Sequence, residues 1–141
     1  MRFSRGFTMI EMVFVIVVLG ILAAIAIPRL AATRTDAEIS KGRADVASVR
    51  SGIISERQSR IIQGDSDWIT AANLDNGGLF GGVLMYPVAN EPGVNGKWSA
   101  EAGSGTYVFR AGNVDTTFTY DEDDGTFTCT ADTDNCNTLV N

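Results

Sequence analysis

The sequence predicts an α+β chain in which one long amino-terminal helix, apolar in its first half and amphipathic in its second, packs on a small antiparallel β-sheet. Three patterns carry that expectation. Residues 12–27 form an apolar run without a charge, apolar positions then recur at helical spacing as far as Ile61, and three later runs are rich in Thr, Val, Phe and Tyr.

The first element is preceded by a short basic leader, with Arg2 and Arg5 ahead of Gly6 and then Phe7, Thr8, Met9, Ile10 and Glu11. Residues 7–27 make about 21 residues of apolar helix, long enough to cross a hydrocarbon core roughly 30 Å thick. Glu11 is the one acid in that span. A carboxylate there is a functional candidate, because a charge near hydrocarbon persists only when a partner offsets its desolvation. The next cation is Arg29, which lies roughly 27 Å further along a helix at about 1.5 Å per residue. The partner is therefore expected from another chain.

Beyond Pro28, residues Ile39, Val46, Val49, Ile53 and Ile61 fall on one stripe, with Gly42, Arg50 and Arg57 interleaved. This predicts an amphipathic continuation of the helix. Gly64 is its expected end, since glycine closes a last turn readily. A helix over residues 7–63 would be about 85 Å long. Gly20 and Pro28 mark the expected kink or loosening point, proline because it removes a helical hydrogen bond and clashes with the carbonyl four residues back.

Residues 64–105 are dominated by turn formers and read as a variable surface loop with short elements, among them a helical turn within 68–74. Trp68, Phe80, Leu84, Met85 and Trp98 are expected to pin it to the helix. Residues 106–141 supply the sheet, as runs at 106–110, 116–120 and 126–129, with a hairpin turn at 121–125. Alternation sends Tyr107 and Phe109 one way, and Phe118, Tyr120 and Phe127 complete a face for the Val46, Val49, Ile53 stripe.

The residues from Arg5 to Glu11, the apolar run and Pro28 together resemble the class III signal of the type IV pilin and type II secretion pseudopilin superfamily. That resemblance implies a leader, residues 1–6, removed by a membrane prepilin peptidase between Gly6 and Phe7. It also implies methylation of the new amino terminus at Phe7, and assembly through Glu11 meeting the terminal amine of a neighbouring copy. Residues 7–30 would be the membrane and assembly helix, and residues 31–141, including the helical part 31–63, a pilin-like domain shaped as a ladle. The resemblance further implies a homopolymer, an inner-membrane assembly platform and minor pilins or pseudopilins as partners. A single pass of the inner membrane would leave the carboxy-terminal domain outside the cytoplasm, in a periplasmic pseudopilus or a surface pilus. In such a compartment Cys129 and Cys136, the two cysteines of the chain, are expected to be bonded. Their pairing also resembles the carboxy-terminal disulfide of type IV pilins.

Composition narrows the remaining functions. The chain of 141 residues has no His, which removes Ser-His and Cys-His nucleophile pairs and His-metal sites, so no enzyme is expected. The net charge of -6 disfavours direct contact with nucleic acid. Acids crowd the carboxy-terminal end, where Asp121, Asp123, Asp132 and Asp134 are candidate calcium ligands, because oxygen-only clusters suit that ion. A plain solvated acidic turn is the alternative, and no other cofactor is expected. The rival to a filament subunit is a monomeric membrane-anchored binding module outside the cytoplasm.

Overall fold

A computed structural model describes residues 6–129 and 134–140, without the side chains of residues 31, 32 and 134. The chain divides into two units, Met1–Arg34 and Thr35–Asn141. Helix α1, Met9–Ile62, runs through both and contains Pro28. In the first unit its large apolar side chains from Met9 to Leu30 are all exposed. A helix that is apolar all round needs lipid or other helices as its surroundings.

In the second unit α1 ends as the sequence predicts. Gly64 adopts φ 91°, its N–H donates to Ile61 O at 3.0 Å, and Asp65 N–H donates to Arg60 O at 3.0 Å. This is a Schellman closure, which satisfies two carbonyls of the last turn. After the short helix α2, Ala71–Leu74, come β1 Lys97–Ala100, β2 Thr106–Ala111, β3 Val114–Tyr120, β4 Phe127–Cys129 and helix α3 Asp134–Val140. The strands form one antiparallel sheet in the order β1-β2-β3-β4.

The expected three strands are thus four. β1 has only four residues between turn-rich neighbours, and its pairing of Trp98 with Phe109 and Ala100 with Tyr107 is made by β2 rather than by local alternation. α3 was not anticipated either, since Asp134, Asn135, Asn137 and Thr138 are weak helix formers. Its position comes from outside: Leu139 is buried, Cys136 is bonded to Cys129, and Arg43 donates through Nε and Nη2 to Thr138 O at 3.0 and 2.6 Å.

The core lies between α1 and the sheet. Val46, Val49 and Ile53 face a layer of Trp98, Tyr107, Phe109, Phe118 and Phe127, with Phe80 of the loop in the same cluster. Phe118 and Phe127 stack at 5.2 Å between ring centroids, and Phe80 meets Trp98 edge-on at 5.5 Å. Offset and edge-on pairs are the arrangements that ring quadrupoles favour. The predicted stripe weakens at its ends: Ile39 is half-buried and Ile61 exposed. Met85, expected to pin the loop, is instead 88% exposed, while Val83 and Leu84 beside it keep the packing contact.

Thr116 points into this core, and its Oγ1 is the one buried side-chain oxygen or nitrogen without a hydrogen bond among the described residues. An unpaired buried hydroxyl costs about 1–3 kcal/mol in desolvation. Thr116→Val keeps the branched shape and removes that cost. It is expected to raise the stability of the domain by about 1 kcal/mol, read as a higher midpoint in urea with an unchanged slope.

The β1 edge of the sheet is covered, and one carbonyl of the β4 edge is bonded. At β1, Asn90 Nδ2 donates to Ala100 O at 2.8 Å, Asn90 Oδ1 accepts from Ala100 N–H at 3.4 Å, and Glu91 N–H donates to Trp98 O at 2.9 Å. At β4, Arg50 donates through Nε and Nη2 to Phe127 O at 2.9 and 2.8 Å. Open edges invite pairing with another chain, and these groups are already committed.

Candidate assembly site

Ahead of α1, residues 6–8 are non-helical and Phe7 is 81% exposed. Thr8 is the N-cap. Its N–H and its Oγ1 both donate to Glu11 Oε2 at 2.7 Å, and Glu11 N–H donates back to Thr8 Oγ1 at 3.3 Å. This reciprocal arrangement is a capping box, which satisfies backbone donors that the first helical turn leaves free. The Thr-x-x-Glu spacing was visible in the sequence as a helix-start signal.

The capping box changes the account of Glu11. Its carboxylate has a neutral partner inside the chain, so it does not wait wholly unpaired for a neighbour. Thr8 supplies hydrogen bonds but no positive charge. Glu11 lies one helical turn from Phe7 on an element whose apolar surface is uncovered. α1 contains an 18-residue window of mean hydropathy 3.0, wholly exposed, which by length and composition is sufficient to cross a membrane.

Gly20 and Pro28 lie inside the continuous helix. A methyl group added at Gly20 would meet nothing within 4 Å, so nothing in the isolated chain requires a glycine there. At Pro28 the missing N–H leaves the carbonyl of Ala24 without its helical donor. One turn further on, Thr33 Oγ1 donates to Arg29 O at 2.9 Å, a back-bond that commonly accompanies helix bending.

At the far end of the second unit, Cys129 and Cys136 are joined, with Cα atoms 5.8 Å apart. The acidic turn is organised by its own backbone: Asp121 Oδ1 accepts from Asp123 N–H, and Asp124 Oδ1 from Thr126 N–H, both at 2.9 Å. Hydrogen bonds from Thr126 hold the Asp124 carboxyl below the usual carboxylate range. Gly125 closes this turn under the Trp68 ring, where a Cβ would lie 2.1 Å from a ring carbon. The Arg57 guanidinium sits over the same ring, 3.8 Å from its centroid, a cation–π contact. Among the described residues no three Asp, Glu, His or Cys side chains converge on a metal position. Of the four calcium candidates, Asp121 and Asp123 belong to this turn, while Asp132 and the side chain of Asp134 lie outside the described residues.

The hydroxyls of two inward-facing tyrosines find partners that the sequence did not reveal. Tyr107 donates its hydroxyl to Asp75 Oδ2 at 3.1 Å, and Tyr120 to Ile69 O at 2.7 Å. Burial raises both, seconded by the charge of Asp75 at Tyr107 and of Glu122 at Tyr120, and the Tyr120 hydroxyl is pushed up to about 12. A folded-state value above the ordinary one of about 10 means that stability is intact below pH 10 and falls as pH rises through 12. Alkaline unfolding followed by near-ultraviolet circular dichroism is therefore expected to begin above about pH 10. Tyr120→Phe is expected to flatten that slope.

The family model described as the prokaryotic N-terminal methylation motif matches residues 1–27. The Type II secretion system core protein G of Pectobacterium carotovorum subsp. carotovorum is 39% identical over 50 residues, 36% of this chain and 32% of the relative. Its counterpart in Dickeya chrysanthemi is 38% identical over 50 residues, 36% of this chain and 33% of that protein. The similarity therefore spans about a third of the length of either relative. No solved structure gives a significant match. The chain carries a class III amino-terminal methylation signal at the head of a pilin-like α+β fold.

Proposed function

We propose that this protein is a structural, non-enzymatic subunit of a type IV filament, cut between Gly6 and Phe7 and methylated at Phe7. The apolar first half of α1 anchors it in the inner membrane with the domain outside the cytoplasm. Copies then leave the bilayer and polymerise as their apolar helices bury one another, and Glu11 of one copy pairs with the Phe7 amine of the next. Its partners on this reading are further copies of itself, the prepilin peptidase, an inner-membrane assembly platform and minor subunits.

The observation that carries the reading is the coincidence of the methylation motif at residues 1–27 with an apolar helix exposed on every side and one acid in its first turn. The covered β1 edge supports it too, because it leaves that edge closed to strand pairing. The two secretion relatives favour a short periplasmic pseudopilus. The Cys129–Cys136 disulfide, which resembles that of pilins, favours a surface pilus as the second reading.

The test is intact mass and amino-terminal sequencing of the protein from sheared and membrane fractions of cells that produce it. A chain starting at methylated Phe7 is expected. Its presence in the sheared fraction marks a surface pilus, and confinement to membranes marks a pseudopilus. An intact Met1 in both fractions would overturn the reading in favour of an anchored binding module.

A further inference from the structure

Two Asn-Gly pairs occur in the sequence, at Asn76 with Gly77 and at Asn95 with Gly96. Asparagine is thermally labile, most of all before glycine, because no Cβ hinders the approach of the following backbone nitrogen to the side-chain carbonyl carbon. The fold treats the two pairs in opposite ways. Asn95 is tied at both ends of its side-chain amide: Nδ2 donates to Asn113 Oδ1, and Oδ1 accepts from Asn113 N–H, each at 3.2 Å. The Gly96 N–H donates to Arg110 O at 2.7 Å. Asp124 with Gly125, which can close the same ring more slowly, is tied likewise: Gly125 N–H donates to Asp121 O, and Asp124 Oδ1 accepts from Thr126 N–H, both at 2.9 Å. Asn76 and Gly77 are exposed, and among the described residues neither the Asn76 side-chain amide nor the Gly77 N–H has a hydrogen bond. A Cβ at Gly77 would meet nothing within 4 Å, so the space around the attacking nitrogen is open.

The structure assigns Asn76, followed by Gly77, as a site of spontaneous deamidation. The Gly77 nitrogen attacks Asn76 Cγ, the Cγ–Nδ2 bond breaks, and ammonia leaves with the proton that the Gly77 nitrogen gives up. Water then opens the five-membered imide at either carbonyl, giving aspartate or isoaspartate. One ammonia is exchanged for one water, and nothing is oxidised or reduced. The product matters because of its neighbour. Asp75 accepts from Phe80 N–H, Gly103 N–H and the Tyr107 hydroxyl. Aspartate at the next position sets a like charge beside that carboxylate, and isoaspartate also inserts a carbon into the main chain between Asp75 and Phe80. The backbone is closely packed there: a Cβ at Gly81 would lie 2.4 Å from Asn76 O, and Gly82 N–H donates to Leu74 O at 3.0 Å. A longer main chain therefore pulls on the contacts that Asp75 makes.

This inference is independent of the filament reading. The experiment incubates the full-length protein in detergent and mildly alkaline buffer made with heavy-oxygen water, then digests it with pepsin in acid. Tandem mass spectrometry with electron-transfer fragmentation locates the heavy oxygen and separates isoaspartate from aspartate. Conversion at Asn76 is expected to run about tenfold faster than at Asn95, because a hydrogen bond that must break before the ring closes slows the reaction by about that factor. In urea the two residues are expected to convert alike, since the selectivity comes from the fold. No conversion at Asn76, equal rates in the folded protein, or the same preference for Asn76 in urea would each overturn the inference. As a second measurement, the aged protein is expected to unfold at a lower urea midpoint than the fresh protein. Asn76→Asp, which brings the charge without the extra carbon, is expected to fall between them. An aged sample converted at Asn76 that keeps the midpoint of the fresh protein overturns the link to Asp75.

Discussion

Glu11→Ala is expected to leave the protein processed and inserted in the membrane but absent from filaments. In the proposed assembly the carboxylate meets the Phe7 amine of a neighbouring copy in surroundings without water, and removing one partner of a buried pair costs about 3–5 kcal/mol. At every step of a polymer that loss is prohibitive. The capping box supplies a control that separates two roles of the side chain. Glutamine also serves at the third position of such a box, so Glu11→Gln retains an acceptor for the Thr8 N–H and removes only the charge. If the ion pair drives assembly, Glu11→Gln fails as Glu11→Ala does. Filaments from Glu11→Gln at normal yield would assign Glu11 to helix capping alone. Normal yield from Glu11→Ala would remove it from assembly altogether.

Asp75→Ala is expected to be the most destabilising substitution of a polar residue in the folded domain. The Asp75 carboxylate, 9% exposed, accepts from Phe80 N–H at 3.2 Å, Gly103 N–H at 3.1 Å and the Tyr107 hydroxyl at 3.1 Å. It ties the loop, the approach to β2 and the aromatic core to one point. Phe80 is fully buried at φ 59°, a conformation that costs a bulky residue of order 1–3 kcal/mol and persists only where its surroundings enforce it. Hydrogen bonds to a charged group are worth about 1.5–3 kcal/mol each. With alanine, three donors lose their acceptor and Phe80 loses its tether, so a loss of about 3–5 kcal/mol is expected. Urea unfolding of the full-length protein in detergent, followed by the fluorescence of Trp68 and Trp98, reads it directly. A loss below about 1 kcal/mol would show that the Asp75 bonds are replaced by water and do not hold the loop.

The sequence by itself determined what depends on short-range periodicity and on composition. The apolar run with its single acid, the stripe of Val46, Val49 and Ile53, the end of α1 at Gly64 and the inward alternation of Tyr107, Phe109, Phe118, Tyr120 and Phe127 are local patterns. Each is enforced by a backbone repeat that neighbouring residues display. The capping box of Thr8 and Glu11 was equally local, and its spacing alone could have revealed it. Tertiary structure decided what depends on partners distant in the chain. β1 exists because β2 pairs with Lys97–Ala100, and α3 is placed by Arg43, Leu139 and a disulfide that reaches back to β4. Asp75 becomes a hub only when Tyr107, 32 positions away, arrives beside it. Met85 and Ile61 show the same division from the other side. Both are apolar and read as core, yet burial is allotted by the three-dimensional outline of the domain, and the inner face was already filled by aromatic rings.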